Sequence, residues 1–108
     1  MIRIKPGVRW EGIRPEAVLG IVLADQVYAS QGIREMWVTS ITEGAHKPGS
    51  FHYRGLAFDL RIHNVPQALR TLLVDRLREV LGDEEWDVLL ETDHIHCEYD
   101  PRQPRAVT

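Results

Sequence analysis

The sequence predicts an α+β fold in which helices pack on one face of an antiparallel sheet and polar residues line the other face. Two observations predict this fold. Apolar residues recur at helical spacing in two segments, and they alternate with polar residues in several short segments. At 108 residues the chain is large enough for one modest core, so a single domain over residues 1–108 is expected. Residues 101–108 have no periodicity and are expected to be a loose tail.

The first half of the chain predicts one helix and one strand. The helix begins at Pro15 and ends at the stop signal Gln31-Gly32. Residues 35–42 are rich in Trp, Val, Thr and Ile and predict a strand, and residues 43–50 contain the Gly and Pro that are typical of a loop. The apolar residues of the helix that recur at helical spacing are Val18, Ile21, Val22, Leu23 and Val27.

A second strand and a second helix follow. Residues 56–62 alternate between apolar and other side chains, which places Asp59 on the sheet face opposite the apolar row. Asn64 is a candidate N-cap, and Pro66 is typical of a first helical turn. The helix that they introduce is expected to end at Gly82. Its apolar residues, spaced at i, i+3 and i+4, are Leu69, Leu72, Leu73, Leu77, Val80 and Leu81.

The last two strands, residues 86–91 and 94–99, are expected to form a hairpin. A two-residue connection between them places Glu91 opposite His94 across the ladder. His94 and His96 then share one face, and the apolar residues between and beside them share the other. One face is suited to a core, and the other carries polar groups that could act in chemistry.

Composition and charge exclude several classes of function. The net charge of -3 offers no basic field for nucleic acid, and no stretch approaches the roughly 20 apolar residues of a membrane span. The single cysteine, Cys97, cannot form an internal disulfide. The first residues lack an apolar run and a small-residue cleavage site, so we expect a protein made in the cytoplasm without a signal peptide.

The polar residues of the two segments offer ligands for a metal ion. Asp59 and the pair His94 and His96 each lie opposite an apolar row, and His52 stands in the loop before Asp59. Three protein ligands with one position left open is the arrangement of a catalytic zinc site. Calcium and magnesium prefer oxygen ligands, so the histidines favour zinc.

Two short motifs carry a resemblance to a known family. The stretch SFHYRGLAFD, residues 50–59, resembles the SxHxxGxAxD signature of the D-alanyl-D-alanine dipeptidase and carboxypeptidase family of zinc peptidases. The sequence His94-Ile95-His96 is similar to the second signature of the wider group that includes lysostaphin-type enzymes and the Hedgehog domain. The resemblance covers residues 38–101. It implies that His52, Asp59 and His96 bind zinc and that His94 is a neighbour of the metal rather than a ligand.

The resemblance and the predicted register differ on the general base. Asp93 stands three residues before His96, which is the position of the catalytic acid in relatives with a DxxH ending, whereas the hairpin register places Glu91 beside His94. Both candidates therefore stay open. His94 is expected to stabilise the oxyanion or to orient the base.

Three residues of the loop are candidate contacts for the substrate. Ser50 resembles the serine of the family that contacts substrate, and His46 and Lys47 lie where they could meet a substrate carboxylate. Many relatives have an arginine for that carboxylate before the first motif, but residues 39–49 contain none. The absence of that arginine favours cleavage within a stem or cross-link peptide over removal of a free terminal D-alanine.

The expected function is that of a zinc-dependent peptidoglycan peptidase, an endolysin-like endopeptidase or a carboxypeptidase that uses zinc-activated water. By the same resemblance the protein would be a monomer of the bacteriophage lysin type that acts on the cell wall after release, with the stem peptide as its partner. Two alternatives stay open. One is a zinc-containing binding module without catalysis, as in the Hedgehog domain, and the other is a phage structural protein of the same fold.

Overall fold

Five strands and two helices build the fold, and a computed structural model describes them over residues 1–44 and 46–101. The α+β class predicted from the sequence is confirmed. A short 3-10 helix, Gln67–Leu69, leads into the second helix. The elements in chain order are β1 (Ile2–Ile4), α1 (Pro15–Ser30), β2 (Met36–Ser40), β3 (Ala57–Arg61), α2 (Arg70–Leu81), β4 (Trp86–Leu90) and β5 (His94–Tyr99).

The sheet is mixed rather than purely antiparallel. Its strand order is β1-β2-β3-β5-β4, in which β1 pairs with β2 in parallel and every other pair is antiparallel. Parallel neighbours need a long crossover, and α1 provides it between β1 and β2. The expectation of an antiparallel sheet was wrong at this edge because β1 has three residues, too few to show an alternating pattern.

Small residues define the face of α1 that packs on the core. Ala17 and Ala24 are fully buried, and a Cβ atom added to Gly20 would lie 2.5 Å from the nearest atom of the Trp86 ring. In contrast, Val18 and Val22, which the helical spacing predicted to be core residues, are 47% and 43% exposed. The bounds of the helix agree with the prediction, and so does the burial of Ile21 and Val27. The rest of the inner face consists of small side chains, which allow the helix backbone to approach an aromatic ring of the sheet.

Strand β3 divides the molecule into two faces. Phe58, Leu60 and Ile62 are buried in the core between the sheet and the helices, as the alternation predicted. The opposite face of β3 was expected to be open, but Ala57 and Asp59 on that face are buried as well. The loop between β2 and β3 explains this burial, since it folds back and places His52 against Asp59.

The β4–β5 hairpin has the predicted register. Leu89 lies opposite His96, and the Glu91 amide donates a hydrogen bond of 2.8 Å to the His94 carbonyl. The short connection is therefore formed by Thr92 and Asp93, as expected. This register fixes which side chains of β5 face the site.

The second helix begins later than predicted and has a different start. Asn64 is not its N-cap, because the Asn64 side chain donates to the Glu35 carbonyl at 2.9 Å and so ties the chain to the start of β2. Gly82 ends the helix with φ of +96°, which confirms the predicted stop.

Of the predicted tail, residues 102–108 lie outside the described residues. Among the described helices, none combines the length and the apolar character needed to cross a bilayer.

Candidate metal centre

Three elements bring one aspartate and two histidines together. Asp59 on β3 stands directly opposite His96 on β5, and His52 reaches the pair from the loop that precedes β3. Asp59 Oδ1 lies 2.9 Å from His96 Nδ1 and 3.2 Å from His52 Nε2. One ligand atom from each of the three residues lies within 4.8 Å of the other two, which is close enough for a shared metal ion.

Hydrogen bonds on the far side of each imidazole assign its tautomer. His52 Nδ1 is 2.8 Å from the Ile41 carbonyl, which can only accept, so Nδ1 carries a proton and Nε2, which faces Asp59, is the nitrogen that would bind a metal ion. His96 Nε2 is 3.1 Å from Glu98 Oε1, which by the same reasoning leaves Nδ1 facing Asp59. Metal-ligating histidines in proteins are typically held by such outer acceptors. Two imidazole nitrogens and a carboxylate oxygen therefore converge on one point, and once the nitrogens have released their protons this donor set fits a divalent metal ion.

The pKa values of the site describe its metal-free state, in which the imidazole nitrogens that face Asp59 donate hydrogen bonds to it. Burial raises the pKa of Asp59, but hydrogen bonds from His52 and His96 outweigh burial and hold the pKa of this carboxyl well below its usual range. The hydrogen bond to Asp59 likewise raises the pKa of His96, against the effect of its burial. Asp59 is therefore ionised at neutral pH. Without a metal ion, a proton on an imidazole is the cation that balances it.

Two of the predicted substrate contacts hold the ligand His52 in place. The His46 ring stacks on the His52 ring with centroids 4.0 Å apart and planes 7° apart, and His46 Nε2 donates to the Glu43 carbonyl at 2.8 Å. Ser50 Oγ accepts a hydrogen bond of 3.2 Å from the His52 amide. Lys47, the third predicted contact, is exposed at the surface of the loop. In this structure His46 therefore contacts the ring of His52, and Ser50 contacts its backbone.

Tyr53 closes the loop around these rings. Its hydroxyl accepts a hydrogen bond of 2.6 Å from the His46 amide and donates to the Gly44 carbonyl at 3.1 Å. The Tyr53 ring also meets the His46 ring edge to face, with centroids 5.5 Å apart. The loop therefore has internal contacts that orient His46, and through His46 the ring of His52.

The candidate catalytic residues form a chain that leads into the site. Asp93 Oδ1 is 2.6 Å from His94 Nδ1, and His94 Nε2 is 3.8 Å from Asp59 Oδ1. The Asp93 side chain is 86% exposed, and its hydrogen bond to His94 lowers the pKa of its carboxyl. Glu91 is exposed at the end of the hairpin, where its backbone amide donates to the His94 carbonyl. Of the two candidate bases, Asp93 is the one linked to the centre through an imidazole.

Sequence reasoning missed two groups that shape the site. Glu98 follows His96 at i+2 on the same strand face, so the alternation contained a signal for it. The Ile41 carbonyl that orients His52 has no side-chain signal. Its position follows from the irregular pairing of β2 with β3, where the register shifts between Val38 and Ser40.

Comparison of the chain with family models, curated proteins and solved structures finds no match in any of the three. The fold and the site therefore define the class by themselves. It is an α+β domain with a candidate metal centre of two histidines and one aspartate on the sheet face opposite the helices.

Proposed function

We propose that the protein is a zinc-dependent peptidoglycan peptidase that hydrolyses an amide bond in the stem or cross-link peptide. The observation that carries the proposal is the convergence of Nε2 of His52, Oδ1 of Asp59 and Nδ1 of His96 on one point. These three residues are also the ones that the resemblance to the zinc peptidases singled out.

The donor set supports zinc over other biological cations. Two imidazole nitrogens and one carboxylate oxygen suit zinc, whereas calcium and magnesium prefer sites built mainly from oxygen. His52, Asp59 and His96 would hold the ion, and the Ile41 carbonyl and Glu98 would fix the two rings from behind. When bound, zinc supplies Lewis acidity, which polarises an amide carbonyl and makes water a stronger acid at neutral pH.

Hydrolysis also requires a group that takes a proton from the attacking water and passes it to the leaving amine. The position of His94 suits this role. Its Nε2 faces the centre while its Nδ1 is held by Asp93 at 2.6 Å, so Nδ1 keeps its proton and Nε2 is free to accept one. The Asp93 carboxylate then stabilises the imidazolium that forms. His94 returns the proton to the leaving amine, and Asp93 orients the ring throughout. In this proposal Glu91 takes no part in proton transfer.

If peptidoglycan is the substrate, the location of the cell wall determines where the enzyme would act. Peptidoglycan lies outside the cytoplasm, so a protein of this function would act after release, in the manner of a phage lysin. The lack of arginine in residues 39–49 favours an amide within the peptide over one beside a free terminal carboxylate.

Metal analysis and murein digestion test the proposal together. The full chain is purified without added metal, its zinc content is measured by mass spectrometry, and purified murein is incubated with it. The soluble products are then identified by liquid chromatography and mass spectrometry. We expect about one zinc per chain and release of stem-peptide fragments, whose masses identify the bond.

Two variants and one control separate the metal centre from the proton-transfer group. His96→Gln should lose both zinc and turnover, whereas His94→Gln should keep zinc and lose turnover by about 100-fold or more. His63→Gln changes an exposed histidine away from the site and should retain both. Stoichiometric zinc with no cleavage of murein by the unaltered chain would reject the enzyme in favour of a binding module or a structural protein.

A further inference from the structure

A cavity separate from the candidate metal centre lies beside the turn that carries His52. Its volume is about 590 Å³, and it lies where the start of α1, the turn over residues 51–55 and the end of β5 meet. None of the three candidate metal ligands lines it. The side chains that matter for its chemistry are Arg14, Glu16, Phe51, Arg54, Tyr99 and Asp100.

Close backbone contacts hold together the segments that line this cavity. The Arg14 amide donates to the Gly55 carbonyl at 3.0 Å, and Gly55 has φ of +70°. A Cβ atom at Gly55 would collide with the Gly12 carbonyl, so only glycine allows the two segments to approach this closely. On the other side, the Tyr99 amide donates to the Leu56 carbonyl at 2.8 Å. Arg14 and Arg54 are thereby brought to one cavity by fixed parts of the fold.

Two arginines, Arg14 and Arg54, line one part of the cavity wall. The guanidinium groups of Arg14 and Arg54 have no hydrogen bond or ion pair with any residue that the structure describes. Arg54 lies over the Phe51 ring at 4.6 Å, which leaves the edge of its guanidinium with free donors. Two planar guanidinium groups without a partner form a typical receptor for a carboxylate.

Two carboxylate residues, Glu16 and Asp100, line another part of the wall. Glu16 Oε2 is buried and has no hydrogen-bond donor among the described residues. Asp100 adds a second carboxylate, and it lies within 4.8 Å of the carboxylate of Glu98. The carboxylates of Glu16 and Asp100 thus both lie at the cavity, and a carboxylate is a strong acceptor for an ammonium group.

We propose that this cavity binds the zwitterionic head group of an amino acid. Its carboxylate would bind Arg14 and Arg54, its ammonium would bind Glu16 and Asp100, and its aliphatic chain would lie against Phe51. Such a head group occurs in a free amino acid and also at the free end of a diamino acid residue within a wall peptide. The second source rests on the proposed peptidase function, and the first does not.

Binding of meso-diaminopimelic acid alone tests the proposal. Amide spectra of the full chain are recorded by NMR during the titration, with a chelator present so that the amino acid cannot bind through a metal ion. Pimelic acid, which has both carboxylates and no amine, and 1,5-diaminopentane, which has both amines and no carboxylate, are the matched probes. We expect saturable shifts of amides around the cavity with diaminopimelic acid and at least about tenfold weaker binding of each matched probe.

Two cavity variants and one control localise the binding. Arg54→Gln and Arg14→Gln should each weaken binding of diaminopimelic acid by about tenfold. Arg9→Gln replaces an exposed arginine outside the cavity and should leave the affinity unchanged. Arg54 is itself exposed, so its variant keeps the test valid if Arg14→Gln fails to fold. Equal affinity for pimelic acid, or binding that ignores both substitutions, would overturn the proposal.

The two sources of the head group are distinguished by a further pair of probes, D-alanine and a murein tripeptide that ends in diaminopimelate. Binding of the tripeptide with the affinity of the free diamino acid supports the wall source. Binding of free amino acids alone supports the other source, and binding of neither probe class overturns the inference. Because these titrations contain no metal ion, their outcome is independent of whether the chain hydrolyses murein.

Discussion

Asp59 and His96 face each other directly across β3 and β5, and Oδ1 of the aspartate lies 2.9 Å from Nδ1 of the histidine. Hydrogen bonds of the sheet set this pair, so two of the three candidate ligands are placed by strand register. Only His52 comes from a loop, and the Ile41 carbonyl holds it from the opposite side at 2.8 Å. A site with this construction is largely organised before any ion arrives.

Replacement of Asp59 by asparagine should abolish tight zinc binding. Asp59 Oδ1 contacts both imidazoles, and the substitution removes the negative charge that the other two ligands share. We expect the zinc affinity to fall by more than about 100-fold, since even the loss of an outer partner costs about 10- to 100-fold. A competition titration with a chromophoric chelator measures this. Asp83→Asn, at an exposed turn, is the matched control and should bind zinc like the unaltered chain.

Glu98 should strengthen zinc binding through His96 without being a ligand itself. Its carboxylate is 3.1 Å from His96 Nε2 and polarises that ring towards the centre. Glu98→Gln keeps an acceptor at this position but loses the charge, so we expect zinc to bind about tenfold more weakly, with the fold retained. The same competition titration measures the affinity, and the circular dichroism spectrum reports the fold. Unchanged affinity would mean that Glu98 does not act on the metal through His96.

Asp93 should affect turnover without affecting metal content. Asp93→Asn keeps a side chain beside His94 but removes the charge that stabilises a protonated ring. We expect about one zinc per chain and a rate of murein cleavage at least about 100-fold lower. Glu91→Gln is the comparison. Glu91 is the other candidate base, and only Thr92 separates it from Asp93 in the connection between β4 and β5. A larger loss with Glu91→Gln than with Asp93→Asn would contradict the roles given to His94 and Asp93 and would make Glu91 the group that accepts the proton.

Much of the site could be predicted because it depends on local patterns. The alternation in β5 fixed the face of His94 and His96, and the limits of that strand agree with those expected. The register of the hairpin also followed from its short connection. Asp59 was placed on the correct face of β3 by the same period of two.

Other parts of the molecule depend on contacts between distant segments and could not be predicted in this way. The inner face of α1 is set by the Trp86 ring against Gly20, which no helical period reveals. Arg14 reaches its cavity because Gly12 and Gly55 pack backbone to backbone. The covering of Asp59 likewise results from the loop that returns with His52. These features require the tertiary structure.

The stability of the metal-free protein should depend on pH near neutrality. The pKa of His96 is raised by its hydrogen bond to Asp59, so its stabilising contribution is complete below the unfolded value of about 6.5 and is lost as the pH rises through the raised value. The pKa of Asp59 is lowered, so its contribution is present above about pH 4 and is lost below that. The hydrogen bond between Asp59 and His96 contributes to both shifts and counts once, and the hydrogen bond from His52 adds to the lowering of the Asp59 pKa.

Thermal unfolding with chelator and with zinc checks this dependence. Without zinc, the melting temperature should fall as the pH is raised from about 6 to 9, and His96→Gln should flatten that slope. With zinc, the stabilisation should grow over the same range, because the metal no longer competes with a proton on His96. A metal-free melting temperature that rises steadily over this range would contradict the assignment of the proton to the Asp59–His96 pair.

The contact between Gly55 and Gly12 should be a point of high sensitivity in the fold. Gly55 and Gly49 lie in the same loop and have similar positive φ angles of +70° and +80°, but only at Gly55 would a Cβ atom meet other backbone. Gly49→Ala should therefore cost only the conformational term of about 1 kcal/mol. Gly55→Ala should lower the free energy of unfolding by about 1–3 kcal/mol more, since the added methyl forces the two segments apart. Urea denaturation of the two variants measures this difference, and equal losses would show that the Gly12–Gly55 contact adds nothing to stability. If the larger loss is found, Gly55→Ala should also weaken binding of diaminopimelic acid, because the Arg14 segment moves with Gly12.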